Sequence, residues 1–273
     1  MSVRQEARIA LCLCQPADKV AATLALWQRC GDCAQAPQEQ ASSIAAHCPS
    51  PLPGRPELPV LVHPKEVSQR GIQALEGRAA LLHAVVHIEF NAINLALDAV
   101  WRFDGMPAQF YHDWLRVAYE EALHFEMLRQ HLEHMGYHYG DFVAHDGLWH
   151  MCEKTADDIV ARMALVPRTL EARGLDATPL IQQRLRNVHA EDADTTATLL
   201  DTILRDEIGH VAIGNHWYRW LCAQRGLDAV THYKQLVEQY AAPRLKPPFN
   251  EAARQQAGFS QAELDYLLYN GPA

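Results

Sequence analysis

The sequence predicts an all-α protein whose centre is a four-helix bundle holding two metal ions. Two segments carry this reading: Tyr119-Glu120-Glu121-Ala122-Leu123-His124-Phe125 and Arg205-Asp206-Glu207-Ile208-Gly209-His210-Val211 repeat one pattern of acid, Glu, two spacers, His and hydrophobe. Residues three apart share a helix face, so Glu121 with His124, and Glu207 with His210, each present a carboxylate and an imidazole to one point. Apolar stripes at helical spacing surround both copies, and no β alternation of useful length interrupts them.

The stripes point these pairs inward. Around the first copy run Trp114, Val117, Ala118, Glu121, His124, Phe125 and Leu128; around the second run Leu199, Leu200, Ile203, Leu204, Glu207, His210, Val211 and Gly214. Buried charges need a partner or a metal, so two inward Glu/His pairs call for a cation. A dimetal bundle also takes one inward Glu from each of two further helices. Glu89 is the single acid in the stripe Leu82, Val85, Val86, Glu89, Ile93, Ala96, Val100. Glu171 fills the same role beside Met163, Ala164, Pro167, Leu170 and Leu175, on a helix that Pro167 bends or interrupts.

The predicted metal ligands are therefore Glu89, Glu121, His124, Glu171, Glu207 and His210. Four carboxylates balance two divalent ions, which lets the set sit in a low-dielectric core. Carboxylate and imidazole donors without thiolate favour two iron ions, with manganese as the alternative. Glu120 and Asp206, each one residue before the motif Glu, are candidates to accept a proton from a ligand histidine. Their other reading is as solvated acids on helix flanks. His87, His112, His131, His134 and His138 have no paired acid at metal spacing and are read as hydrogen-bonded or surface histidines.

Each element follows from local punctuation. A helix from Lys19 to Cys30 lies in an N-terminal segment, residues 1–48; Cys48-Pro49-Ser50-Pro51-Leu52-Pro53-Gly54-Arg55-Pro56 opens a Pro-rich linker, residues 49–66. The bundle is expected over 67–241. Its helix A runs from Val67 to Phe103 and its helix B from Pro107 to Gly136. A long connection with Tyr137, Tyr139, Phe142, His145, Asp146 and Trp149 reads either as a lid or as aromatic sealing of a bundle end. Thr155 with Asp158 reads as the capping box of helix C, which is expected to stop at Gly174. An inserted helix starts at Thr178-Pro179, and helix D spans Asp192 to Gln224. A further helix covers Asp228 to Ala241. In the C-terminal extension, residues 242–273, Ser260 with Glu263 caps a short last helix.

The chain resembles the ferritin-like diiron carboxylate superfamily. The resemblance rests on His87-Ile88-Glu89, Asp113-Trp114-Leu115-Arg116-Val117-Ala118, Tyr139-Gly140-Asp141-Phe142, His145-Asp146-Gly147-Leu148-Trp149, Leu170-Glu171-Ala172-Arg173-Gly174 and the second Glu-x-x-His motif. Together these look like a bacterial family of ferritin-like proteins, similar around Glu171 to the diiron tRNA hydroxylase MiaE. The resemblance covers roughly residues 50 to 260 and implies fold and metal better than substrate.

It implies an oxidoreductase that activates dioxygen and hydroxylates or otherwise oxidises a small-molecule or RNA substrate, with a separate electron donor. The alternatives are a tRNA-modifying hydroxylase and a ferroxidase or metal-binding protein without organic substrate. A net charge of -9 disfavours general adhesion to nucleic acid, although Arg102, Arg116, Arg162, Arg168, Arg173, Arg184 and Arg186 could form a local basic face. No apolar run reaches the ~18 to 20 residues of a membrane span, and the first residues make a poor secretory signal. A cytoplasmic, membrane-free protein is expected, with homodimerisation compatible. Cys12, Cys14, Cys30 and Cys33 read as small core residues, with zinc binding or disulfide exchange as the lesser alternative.

Overall fold

A computed structural model of the chain describes residues 1–30, 52–68 and 70–269. Among them the regular structure is helical, apart from one isolated parallel bridge between Leu61 and Ala144. The chain divides into two compact units, residues 1–146 and 147–273.

The first unit contains α1 (Val3–Cys12), α2 (Pro16–Cys30), α3 (Leu75–Arg102) and α4 (Ala108–His134). Sequence reasoning missed α1. Its start is a capping box in which Ser2 Oγ accepts from Gln5 N while the Gln5 side chain accepts from Ser2 N. Arg4 then donates through Nη2 and Nε to the Trp101 carbonyl at 2.9 and 3.2 Å, fixing α1 to the end of α3. Lys19 of α2 is fully buried; its Nζ donates to the carbonyls of Leu11 and Gly54 at 2.9 and 3.0 Å and to Asn94 Oδ1. Burial pulls the Lys19 amine down to about 7. Gly54 has to be a glycine here, because a Cβ would stand 2.2 Å from the Cys12 carbonyl oxygen.

Helix α3 is buried along most of its length, including Leu82, Val86, Glu89, Ile93, Ala96 and Val100. It is long and apolar enough to cross a membrane by length and composition, and 72% of its most apolar window is buried. It starts at Leu75, eight residues later than the predicted Val67. The stretch before it holds a short 3-10 turn, Pro64–Glu66, in which His63 Nδ1 accepts from Lys65 N. Every member of the predicted α4 stripe is buried.

The second unit contains α5 (Gly147–Lys154), α6 (Ile159–Leu165), a π-turn (Val166–Glu171), α7 (Ala172–Arg186), α8 (Glu191–Gln224), α9 (Ala229–Gln239), α10 (Glu251–Gln256) and α11 (Gln261–Tyr269). Three expectations are corrected here. Thr155 is not the cap of α6: its hydroxyl bonds the Met151 carbonyl and closes α5, and Asp158 caps α6 by accepting from Val160 N and Ala161 N. Helix C does not stop at Gly174. No separate helix is inserted at Thr178-Pro179, because both positions lie within α7.

Tertiary contacts explain the continuity. Proline at 179 leaves the Leu175 carbonyl without its helical donor, and Asn250 Nδ2 supplies one at 3.2 Å. The irregularity instead falls at Pro167, where the helix widens into the π-turn. Gly214 of α8 accommodates it, since a Cβ there would meet Pro167 Cβ at 2.6 Å.

Candidate metal centre

In the first unit, the long apolar runs of α3 and α4 carry Glu89, Glu121 and His124 into the interior, at 2%, 1% and 3% exposure. One donor atom from each lies within 4.8 Å of the other two. His124 Nδ1 is 3.4 Å from Glu89 Oε2 and 3.5 Å from Glu121 Oε2. Glu89 Oε2 is buried without a hydrogen-bond partner. Two carboxylates and an imidazole in the interior therefore face one small region.

Their electrostatics report a shortage of positive charge. Burial and the neighbouring Glu121 both push the Glu89 carboxyl above its ordinary range. Burial alone would lower His124, but Glu121 and Glu89 outweigh it and push the imidazole up. A group of two carboxylates and an imidazole so placed could hold a metal ion.

Aromatic rings flanking Glu89 and His124 in the sequence pack together. Phe90, adjacent to Glu89, and Phe125, adjacent to His124, have ring centroids 5.5 Å apart, and Tyr139 packs on them at 5.7 and 5.3 Å. Tyr139, half-buried, thus packs back onto α3 and α4 rather than standing at an open loop tip. Asn91 Nδ2 donates to His87 Nε2 at 2.9 Å, leaving Nδ1 to bond the Tyr139 hydroxyl at 2.8 Å. Burial, with help from His83 and His145, holds His87 down at about 4, so it is a neutral hydrogen-bonding residue. Sequence reasoning placed His87 outside the ligand set but missed its partnership with Tyr139, which depends on a loop folding back over 52 residues.

In the second unit, α8 carries Glu207 and His210, 9% and 1% exposed, with His210 Nδ1 4.0 Å from Glu207 Oε2. Glu171 is half-buried at the last position of the π-turn and joins no three-donor cluster among the described residues. Glu120 Oε1 accepts from Arg116 Nε at 2.9 Å, and Asp206 is held by Arg205 at 2.8 and 3.1 Å. Both carboxylates thus engage arginines on the flanks of their own helices. His134 bonds the Gln130 carbonyl on the surface of α4.

Cys12 is disulfide-bonded, unlike the reduced core residue expected, whereas Cys14 and Cys30 are free. Cys33, with Cys48, lies outside the described residues.

Residues 12–265 match the family described as protein of unknown function (DUF455). The chain belongs to this family. Its resemblance to an uncharacterized protein of Haemophilus influenzae is high: 55% identity over 221 residues, covering 78% of this chain and 75% of the relative. No solved structure matches the chain. DUF455 membership carries no activity with it, so function is argued from the side chains themselves.

Proposed function

We propose that this DUF455 protein is a non-haem dimetal oxidoreductase that activates dioxygen to hydroxylate or otherwise oxidise a substrate. The observation that carries the reading is the buried Glu89–Glu121–His124 cluster, with its two carboxylates 3.4 and 3.5 Å from one imidazole nitrogen. Buried carboxylates in this density are costly unless a cation neutralises them. Oxygen and imidazole donors without thiolate fit iron first and manganese second.

Glu89, Glu121, His124, Glu171, Glu207 and His210 are the proposed ligands of two ions. Bound there, ferrous ions would supply electrons in pairs for the reduction of dioxygen. The chain's own part is to hold and shield. Four carboxylates offset the charge of two divalent ions, and the burial of Glu89, Glu121 and His124 keeps bulk water from them.

The arginines favour a small-molecule substrate over RNA. Arg162 and Arg168 are buried, while Arg102, Arg116 and Arg186 engage Asp98, Glu120 and Asp201. Arg173 and Arg184 are the exposed members of the candidate basic face outside these pairs.

The test is anaerobic ferrous loading, removal of free metal and metal analysis, followed by oxygen and near-ultraviolet spectroscopy. Two irons per chain, the number of a bundle dimetal site, with ferric absorption appearing on oxygen exposure, is the expected result. Absence of bound metal overturns the proposal. Turnover of many irons per chain replaces the oxidoreductase with an iron-oxidising or storage protein.

A further inference from the structure

The first unit leaves one extended segment with an open edge. Residues 59–63 run beside Ala144 in the parallel bridge: Ala144 N donates to the Val60 carbonyl at 3.0 Å, and Val62 N donates to the Ala144 carbonyl at 2.8 Å. Burial alternates along the segment, with Pro59 buried, Val60 exposed and Leu61 half-buried, as an extended chain requires. Its backbone groups alternate too. Those of Val60 and Val62 are turned to Ala144, so those of Pro59, Leu61 and His63 are turned the other way. Among the described residues the Leu61 N–H and C=O, the Pro59 C=O and the His63 N–H meet no hydrogen-bond partner. An edge of this kind is a template for another strand.

The side chains around it are apolar. Leu58, Val60 and Val143 are 53%, 52% and 39% exposed, and parallel pairing puts Val60 and Val143 on one face. No acid, lysine or arginine stands between Glu57 and Lys65, although charges are a usual guard of exposed edges. Pro59, which has no N–H to offer, is the device that remains to be explained.

The order of donors and acceptors fits the same edge of a second copy, run antiparallel about a two-fold axis at Leu61. Leu61 of each copy then exchanges its N–H and C=O with Leu61 of the other. Two residues on, the His63 N–H meets the Pro59 C=O of the other copy. The reverse bond would need a Pro59 N–H, which does not exist, and the His63 C=O, which already accepts from Glu66 N at 2.8 Å. The missing donor and the occupied acceptor coincide, so the pairing leaves no group of this edge unmatched. Val60 of each copy faces Val62 of the other, a favourable cross-strand pair. The same order carries the exposed Glu57 toward the exposed Lys65 of the other copy.

We propose that the edge formed by residues 59–63 is a homodimer interface, which joins two copies of this chain by antiparallel strand pairing about Leu61. The contact is small, so the dimer is a weak one that forms as protein concentration rises. It is independent of the metal reading, because none of the proposed ligands lies on the segment.

The test is sedimentation of the full chain over a wide range of concentration, with amide exchange read by NMR at both ends of the range. The expected result is a monomer that becomes a dimer, with the Leu61 and His63 amides slowing in step while Val62, already held by Ala144, does not change. Val60→Lys, at an exposed site, and Leu61→Pro, without the donor, should stay monomeric; Leu180→Lys, on exposed surface of α7, should dimerise like the parent. A chain that stays monomeric throughout overturns the proposal. So does a dimer that both edge variants leave intact, or one in which the Leu61 amide exchanges as freely as in the monomer. Should Leu61→Pro fail to fold, Val60→Lys and the amide exchange of the parent decide.

Discussion

His124 sits against two carboxylates, and that makes it the sharpest residue to test. Replacing it with Ala removes a nitrogen donor while leaving Glu89 and Glu121 buried with less compensation. Iron affinity should fall by more than about tenfold, the lower end of what disturbing even a supporting residue costs. His134→Ala, a surface change on the same helix, should bind like the parent; metal analysis after ferrous loading reads both. Equal retention in the two variants would remove His124 from the ligand set. Lys19 tests a different property, the attachment of α1 and α2 to α3. Lys19→Met leaves the Leu11 and Gly54 carbonyls and Asn94 Oδ1 without their buried donor, a loss of about 2 kcal/mol or more in a denaturant titration. An unchanged midpoint would mean that these groups find other partners.

At the level of elements, the readable part of the sequence was the part governed by local periodicity. The stripes on α3, α4 and α8 give burial directly, because 3.6-residue spacing decides which side chains face inward. Glu89, Glu121, His124, Glu207 and His210 were placed by this rule. Gly174 and Pro179 misled for the opposite reason: both are helix breakers in isolation, and only Asn250, 75 residues beyond Leu175, supplies the missing donor. The interruption at Pro167 was legible, because a proline removes a helical donor wherever it falls; its accommodation against Gly214 on another helix was not. Gly214→Ala should push the π-turn away from α8, because the new Cβ would lie 2.6 Å from Pro167 Cβ. Overpacking of this kind costs roughly 1–3 kcal/mol. If Glu171 is a ligand, the same variant should also lose iron, whereas Gly174→Ala, with nothing within 4 Å of its Cβ, should lose neither. A Gly214→Ala protein with parental stability would show that α8 and the π-turn slide apart freely.

Across the whole molecule, the two units carry buried carboxyls with opposite pH responses. Glu263, 5% exposed, is pushed up by burial, but Arg168 and the hydrogen bonds from Ser260 outweigh this and bring it to about 2 from an ordinary 4.5. Its folded pKa is depressed, so its stabilisation is complete above pH 4.5 and disappears as pH falls toward 2. A shift of that size corresponds to roughly 3 kcal/mol. Glu89 behaves in reverse: its folded pKa is raised above 4.5, and that of His124 above 6.5, so the metal-free first unit binds more protons folded than unfolded. Its stability is full at low pH and declines as pH rises through and beyond that range. Hydrogen exchange on metal-free protein should therefore show α10 and α11 opening first below pH 4.5, and α3 and α4 losing protection as the solution turns alkaline. Ferrous or manganous ions should abolish the alkaline loss alone, because a cation takes over the role of the retained protons. Loss of protection in α3 and α4 on the acid side, or no effect of metal on the alkaline side, would refute the assignment of Glu89 and His124 as a cation-binding pair.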